Sequence, residues 1–261
     1  SAAHSALESV TDTLTQVASC TEPGHNAGHA VLYETAVTIM SLPFADSSLR
    51  TMAVNILGRL LSAPEKDRGA SLRYVALALL GKVLANGGAE GRTAVLRHRS
   101  IIFDCLSDRD LAIKRRASDL ALGLISDAES AQAVIPELIA LLESISGVAD
   151  AADLVESVSS KISVSATLFA INSKWYVDAL CSVFCRMGSG GEEVVSLFLR
   201  VLRNTGDRSM NEYATKELWR HAEHSSGTMV SQSVALISAT IWVVGEYGSP
   251  ALFGTPSIGH V

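Results

Sequence analysis

The chain has 261 residues, 48% apolar and 18% charged side chains, and a formal charge of −6, so it holds ample material for a buried core and is a poor general polyanion binder. No nucleic-acid module is visible, and no run of about 18 apolar residues offers a membrane span. Aromatics make up only 5%, which favours closely spaced helices of Ala, Leu, Ser and Val over a sheet.

Apolar residues recur at spacings of three and four, as in Val54, Leu57, Leu60 and Leu61 or in Leu120, Leu122, Leu124 and Ile125, the period of a buried helix face. Helices are predicted in chain order over 3–19, 28–42, 47–62, 69–86, 92–106, 110–126, 129–145, 149–171, 174–187, 191–204, 208–222 and 228–246. The connections are short, the pattern of stacked helical hairpins. The stretches 145–165 and 249–261 are poorly defined by this reading, and 1–261 is expected to be one helical-repeat segment.

A local signature recurs at Leu49-Arg50-x-x-Ala53, Leu72-Arg73-x-x-Ala76 and Ile113-Lys114-x-x-Ala117, each after a polar stretch holding Asp46, Asp67, or Asp108 and Asp110. It marks helix starts: the Asp complements the N-terminal dipole, the aliphatic residue turns inward, and the Ala lets the next helix approach. The second and third copies lie 41 residues apart, within the ~40–47 of a HEAT or armadillo hairpin. The first and second lie 23 apart, about one helix and its turn. The expected fold is an all-α solenoid of HEAT/armadillo-like helical hairpins.

Candidates for chemistry are few. His25-x-x-x-His29 is half of a helical metal site with glycines at Gly24 and Gly28 and no carboxylate at zinc-protease spacing; it reads as a turn or helix entry. Cys20, Cys105, Cys181 and Cys185 are too scattered for a disulfide framework and fit a reducing compartment. Cys181-x-x-x-Cys185 lacks redox spacing and reads as buried thiols. His221 and His224 read as caps at a helix end beside Arg220. Gly188-Ser189-Gly190-Gly191 lacks the Lys-Ser/Thr ending of a phosphate loop and reads as a helix connection. Trp242 reads as core and Trp175 as inter-repeat packing. No catalytic residue, cofactor or metal is expected, and the chain is expected not to be an enzyme.

Several strings, in order, resemble the trunk of the gamma-adaptin family: Leu14-Thr15-Gln16-Val17-Ala18, Val31-Leu32-Tyr33-Glu34-Thr35 with Thr38-Ile39-Met40, Ala53-Val54-Asn55-Ile56-Leu57-Gly58-Arg59, Leu72-Arg73-Tyr74-Val75-Ala76-Leu77, Arg97-His98-Arg99-Ser100-Ile101 with Asp104-Cys105-Leu106, Ile113-Lys114-Arg115-Arg116-Ala117 and Gly245-Glu246-Tyr247-Gly248. The resemblance is dense over 14–126 and 166–248; 63–70 carries extra residues, 127–165 has drifted, and the tail after Ser249 is unmatched. It implies an internal trunk piece of a heterotetrameric clathrin adaptor complex that sorts cargo at trans-Golgi network and endosome membranes. The implied partners are beta-type, medium and small adaptor subunits, and through the whole complex an Arf-family GTPase, membrane cargo tails and clathrin. The few scattered cysteines and the lack of an apolar span predict a soluble, cytoplasmic chain, and the charge predicts no nucleic-acid partner; peripheral association with membranes and coated vesicles is what the resemblance implies. The chain starts without an initiator Met and reads as an excised piece. A rival reading is a stand-alone HEAT-like scaffold outside vesicle trafficking.

The densest charge feature is basic: Arg92, Arg97, His98 and Arg99 on one predicted helix, then Arg109, Lys114, Arg115 and Arg116 around the next. One reading is a solvated ridge with Asp-to-Arg ladders between repeats, using Asp104, Asp108, Asp110 and Asp119. The other is a docking patch for an acidic partner, whether another subunit, a GTPase or anionic lipid headgroups.

Overall fold

The computed structural model describes residues 2–21, 26–42, 45–62, 69–188, 190–226 and 233–249. Those residues form thirteen α-helices and no strand: α1 (Ala2–Cys20), α2 (Asn26–Ser41), α3 (Ser47–Leu61), α4 (Gly69–Asn86), α5 (Gly88–Leu96), α6 (Arg99–Asp104), α7 (Leu111–Gly123), α8 (Ala128–Ile145), α9 (Ala152–Phe169), α10 (Ser173–Phe184), α11 (Glu192–Thr205), α12 (Arg208–Ser226) and α13 (Val234–Tyr247). The chain resolves into two compact units, 1–124 and 125–261.

Helix starts follow the expected capping chemistry. Asp46 accepts from the Leu49 amide at 2.7 Å to begin α3, and Asp110 accepts from the Ala112 amide at 2.7 Å to begin α7; each satisfies a donor that the helix itself leaves open. Asp67 lies outside the described residues. In the drifted stretch, Asp127 accepts from the Ser130 amide at 2.8 Å while Ser130 Oγ accepts from the Asp127 amide at 3.0 Å, a reciprocal capping box that opens α8. Residues 145–165 are well formed: a 3-10 turn over Ala149–Ala151 leads directly into α9. Gly191, at φ 106°, and Gly206, at φ 60°, bracket α11 in backbone that side chains other than glycine rarely adopt. Gly191 thereby makes the glycine cluster a helix connection; Ser189 lies outside the described residues.

Packing in each unit alternates between two rows of helices. Within 1–124, α2, α4 and α7 follow one another in one row, while α1 contacts α3 and α3 contacts α5 and α6 in the other. Within 125–261, α8, α10 and α12 form one row and α9, α11 and α13 the other. This is the all-α solenoid pattern of HEAT/armadillo type, in which each hairpin buries one face on the next. It also explains the irregular spacing of the signature. Its second and third copies start α4 and α7, neighbours in the same row one repeat apart, whereas the first starts α3 in the opposite row and is not their repeat equivalent. Ala76 and Ala117 are fully buried, which lets α4 and α7 approach closely. Val54, Leu57, Leu60 and Leu61 are all buried, at about 2 kcal/mol each from apolar burial.

The single helix predicted over 92–106 is in fact two helices and a turn. α5 starts earlier, at Gly88, and ends at Leu96, with His98 leaving the helical dihedrals before α6 begins; α6 continues into a 3-10 turn over Cys105–Ser107. His98, at φ −103° and ψ 14°, lays its imidazole on the bare Cα of Gly58 in α3, where a β-carbon would clash with ring atoms Cε1 and Nδ1. Apolar periodicity misses this break because Val95 and Ile102 stay fully buried on either side of it. The last helix corrects one further expectation. Ile241 is 69% exposed, and Trp242 is only half-buried, with the Arg203 guanidinium 4.3 Å over its ring, so it is a cation–π partner and not core.

Gly58→Ala is expected to lower stability by about 1 kcal/mol, although Ala gains about that much in helix propensity. Urea unfolding of Gly58→Ala in wild-type and His98→Ala backgrounds checks this: the penalty should largely vanish once the imidazole is gone.

Candidate docking surface

The candidate basic residues divide once placed on the fold. Arg97, Arg99, Arg109, Arg115 and Arg116 are exposed, Arg92 and His98 are half-buried, and Lys114 is buried. Lys114 therefore departs from the expected docking patch. It follows the capped start of α7 and turns inward at the position equivalent to Arg73 one repeat earlier. Burial pushes the Lys114 pKa down, against the opposing pull of Asp108. His98 departs too: its ring is committed to Gly58, and burial, then the charge of Arg97, pushes its pKa down.

Arg73 and Asp108 form a nearly buried ion pair, Nε to Oδ2 at 2.9 Å. The other carboxylate oxygen of Asp108 accepts from the Asp110 amide at 2.9 Å, so Asp108 ties α4 to the start of α7 instead of capping a helix. Cys105 sits in the same pocket of charge; burial pushes its pKa up to about 11, with Arg73 pulling it down and Asp108 and Asp104 pushing it up. This is the Asp-to-Arg ladder between repeats, made by Arg73, which the run of basic residues in sequence does not include.

The other cations have varied partners. Arg116 donates to the Tyr74 hydroxyl at 3.1 Å with its guanidinium 5.3 Å from that ring's centre. Arg99 lies 5.8 Å over the Phe103 ring. Arg92 donates to the Leu124 carbonyl at 3.1 Å, covering the C-terminal end of α7. Arg92 and Arg116 stand with Lys82 and Asp119 around a groove of about 580 Å³ between α4 and α7, floored by Leu77, Leu84 and Leu120. Lys82 was invisible as a site residue in sequence because it stands alone among apolar neighbours; only stacking α4 on α7 brings it near Arg116.

Residues 125–261 hold the remaining candidates. Cys181 is fully buried and Cys185 half-buried, and burial raises the pKa of both thiols. Cys185 Sγ lies 3.6 Å from His221 Nδ1, so His221 packs inside the unit and is not a cap. α12 runs on past it to Ser226, and His224 Nδ1 donates to the Arg220 carbonyl at 2.7 Å in the last turn. Trp175 is half-buried beside the Asn172 cap of α10, whose side chain accepts from the Trp175 amide at 2.8 Å. His25 lies outside the described residues. Among the described residues no cluster of His, Cys, Asp and Glu is arranged to hold a metal ion, and no helix is long and apolar enough to cross a membrane.

Stacked helical hairpins define a helical-repeat protein. The sequence places it more narrowly: residues 1–253 match the adaptin N-terminal region, and the chain belongs to that family. The matched residues take in 127–165. The chain is 35% identical over 249 residues to the AP-1 complex subunit gamma-1 of Schizosaccharomyces pombe, covering 95% of this chain and 26% of that protein. It is 35% identical over 244 residues to the AP-1 complex subunit gamma-1 of Arabidopsis thaliana, covering 93% and 25%. Against the human AP-1 complex subunit gamma-like 2 the identity is 33% over 247 residues, covering 95% and 29%. The chain thus spans about a quarter of the length of these relatives.

Removing Asp108 leaves Arg73 and Lys114 buried without its charge. Asp108→Ala is expected to cost about 3 kcal/mol of stability, against less than about 0.5 kcal/mol for Arg97→Ala on the exposed turn; denaturant midpoints of the two variants check the contrast.

Proposed function

We propose that this chain is a scaffold segment from the trunk of a large adaptor subunit, acting in vesicle-mediated transport and cargo sorting at trans-Golgi network and endosome membranes. The observation that carries this reading is the 33–35% identity along 93–95% of the chain to proteins named as gamma subunits of AP-1 complexes. Residues 1–261 act as a single trunk segment by binding, without a catalytic step. The complex is a heterotetramer, with beta-type, medium and small subunits as direct partners. An Arf-family GTPase, cargo tails and clathrin are reached through the whole assembly, and membrane association is peripheral. Exposed Arg97, Arg99 and Arg115 supply a docking patch for acidic surfaces of those partners.

The test is co-expression of the full-length large subunit containing this segment with the beta, medium and small subunits of the same organism. The expected result is a stoichiometric four-chain complex in size-exclusion chromatography. Assembly of the other three without it would overturn the reading in favour of a stand-alone helical scaffold outside vesicle trafficking.

A further inference from the structure

Two glycines face the space between α4 and α7, and they differ. At Gly123 a β-carbon would lie 2.7 Å from Leu84 Cδ2, so close helix packing accounts for that glycine. At Gly81, in the middle of α4, a β-carbon would meet nothing within 4 Å. Glycine inside a helix costs about 1 kcal/mol relative to alanine, and here no neighbour requires it. Gly81 lines the groove, so what its missing side chain keeps clear is the groove itself.

The groove has the two chemistries of a peptide site. Its floor is apolar, with Leu77 and Leu120 buried and Leu84 half-buried, while Lys82, Arg92 and Arg116 stand around it as cations and Asp119 as an anion. Asp119 acts on Arg116, whose pKa is raised chiefly by its hydrogen bond to Tyr74. The balance at the groove is positive, although the whole chain is acidic. Residues 125–261 account for that excess, with fifteen acidic against eight basic residues, whereas 1–124 has twelve against thirteen. Arg92 and Arg116 each spend one hydrogen bond within the fold, and a guanidinium keeps further donors in a fork suited to carboxylates. A volume of about 580 Å³ falls within the usual range of ligand sites.

We propose that this groove binds an acidic peptide segment of a partner protein, setting an aliphatic side chain over Gly81 and against Leu84 while its carboxylates meet Lys82, Arg92 and Arg116. The apolar floor argues for a peptide over a headgroup or free phosphate, neither of which would gain from it. The inference rests on the reading of the chain as a binding scaffold but not on which assembly it joins, so failure to co-assemble with adaptor subunits leaves it standing.

The test uses the 261-residue chain and a fluorescein-labelled peptide of alternating glutamate and leucine, read by fluorescence anisotropy. One control peptide carries glutamines in place of the glutamates, another serines in place of the leucines. Saturable binding is expected, about tenfold weaker for each control and for Lys82→Glu or Arg116→Glu, and weaker with added salt. Gly81→Leu should abolish binding while raising the Tm by about 2 °C through helix propensity, which separates a filled groove from a misfolded chain. Unaltered binding in Gly81→Leu, equal binding of the glutamine control, or no binding by any peptide would overturn the proposal. So would capture of phosphatidylserine vesicles that Gly81→Leu leaves intact, which would mark a charged membrane-facing surface.

Discussion

Asp108 sits where two repeats must be kept in step. It pairs with Arg73 from α4, takes the Asp110 amide at the entrance to α7, and is the charge acting on buried Lys114. Burying an ammonium and a guanidinium is costly, and a slip of α7 along α4 would strand both. Leucine and alanine faces tolerate small slips, since apolar contact has no direction. A directional ion pair does not tolerate them, so Asp108 fixes the register in which Ala76 and Ala117 are both fully buried and in which Lys82 comes round to Arg92 and Arg116.

The legible parts of the sequence were those with a local cause. Asp46 and Asp110 announce their helices because a cap needs only a carboxylate and an amide three or two residues on. The 41-residue interval found the right pair of equivalent helices, and the order of the family strings agreed with the family the chain belongs to. What stayed hidden depends on residues far apart in the chain. The break at His98 goes with a bare Cα at Gly58, forty residues away, and Lys114 is buried where Asp108, paired with Arg73 of the preceding repeat, acts on it. The groove is legible only once α4 and α7 are stacked. Gly81 carries no turn or packing signal of its own, and Lys82 has no charged neighbour in sequence. Trp242 misled because apolar periodicity locates a helix and not which of its faces is covered.

A stack of hairpins suits a protein that works by contact. Its rigid rows hold side chains from separate repeats at fixed spacing, while the loops between them can change length without disturbing the core. The titratable groups inside these units are placed for packing: burial raises the thiol pKa values of Cys105, Cys181 and Cys185 and lowers that of His221, so the thiols stay protonated and the imidazole neutral near pH 7. The buried Arg73–Asp108 pair lies beneath the exposed cations of the first unit and joins α4 to the start of α7.

Native-state hydrogen exchange on wild-type and Asp108→Ala chains tests this account most directly. If Asp108 holds the two repeats in register, amides of α4 and α7 should lose protection together in the variant. Loss confined to residues 105–112, with α4 as protected as in the wild type, would contradict it and leave the ion pair a local contact without control over the repeat.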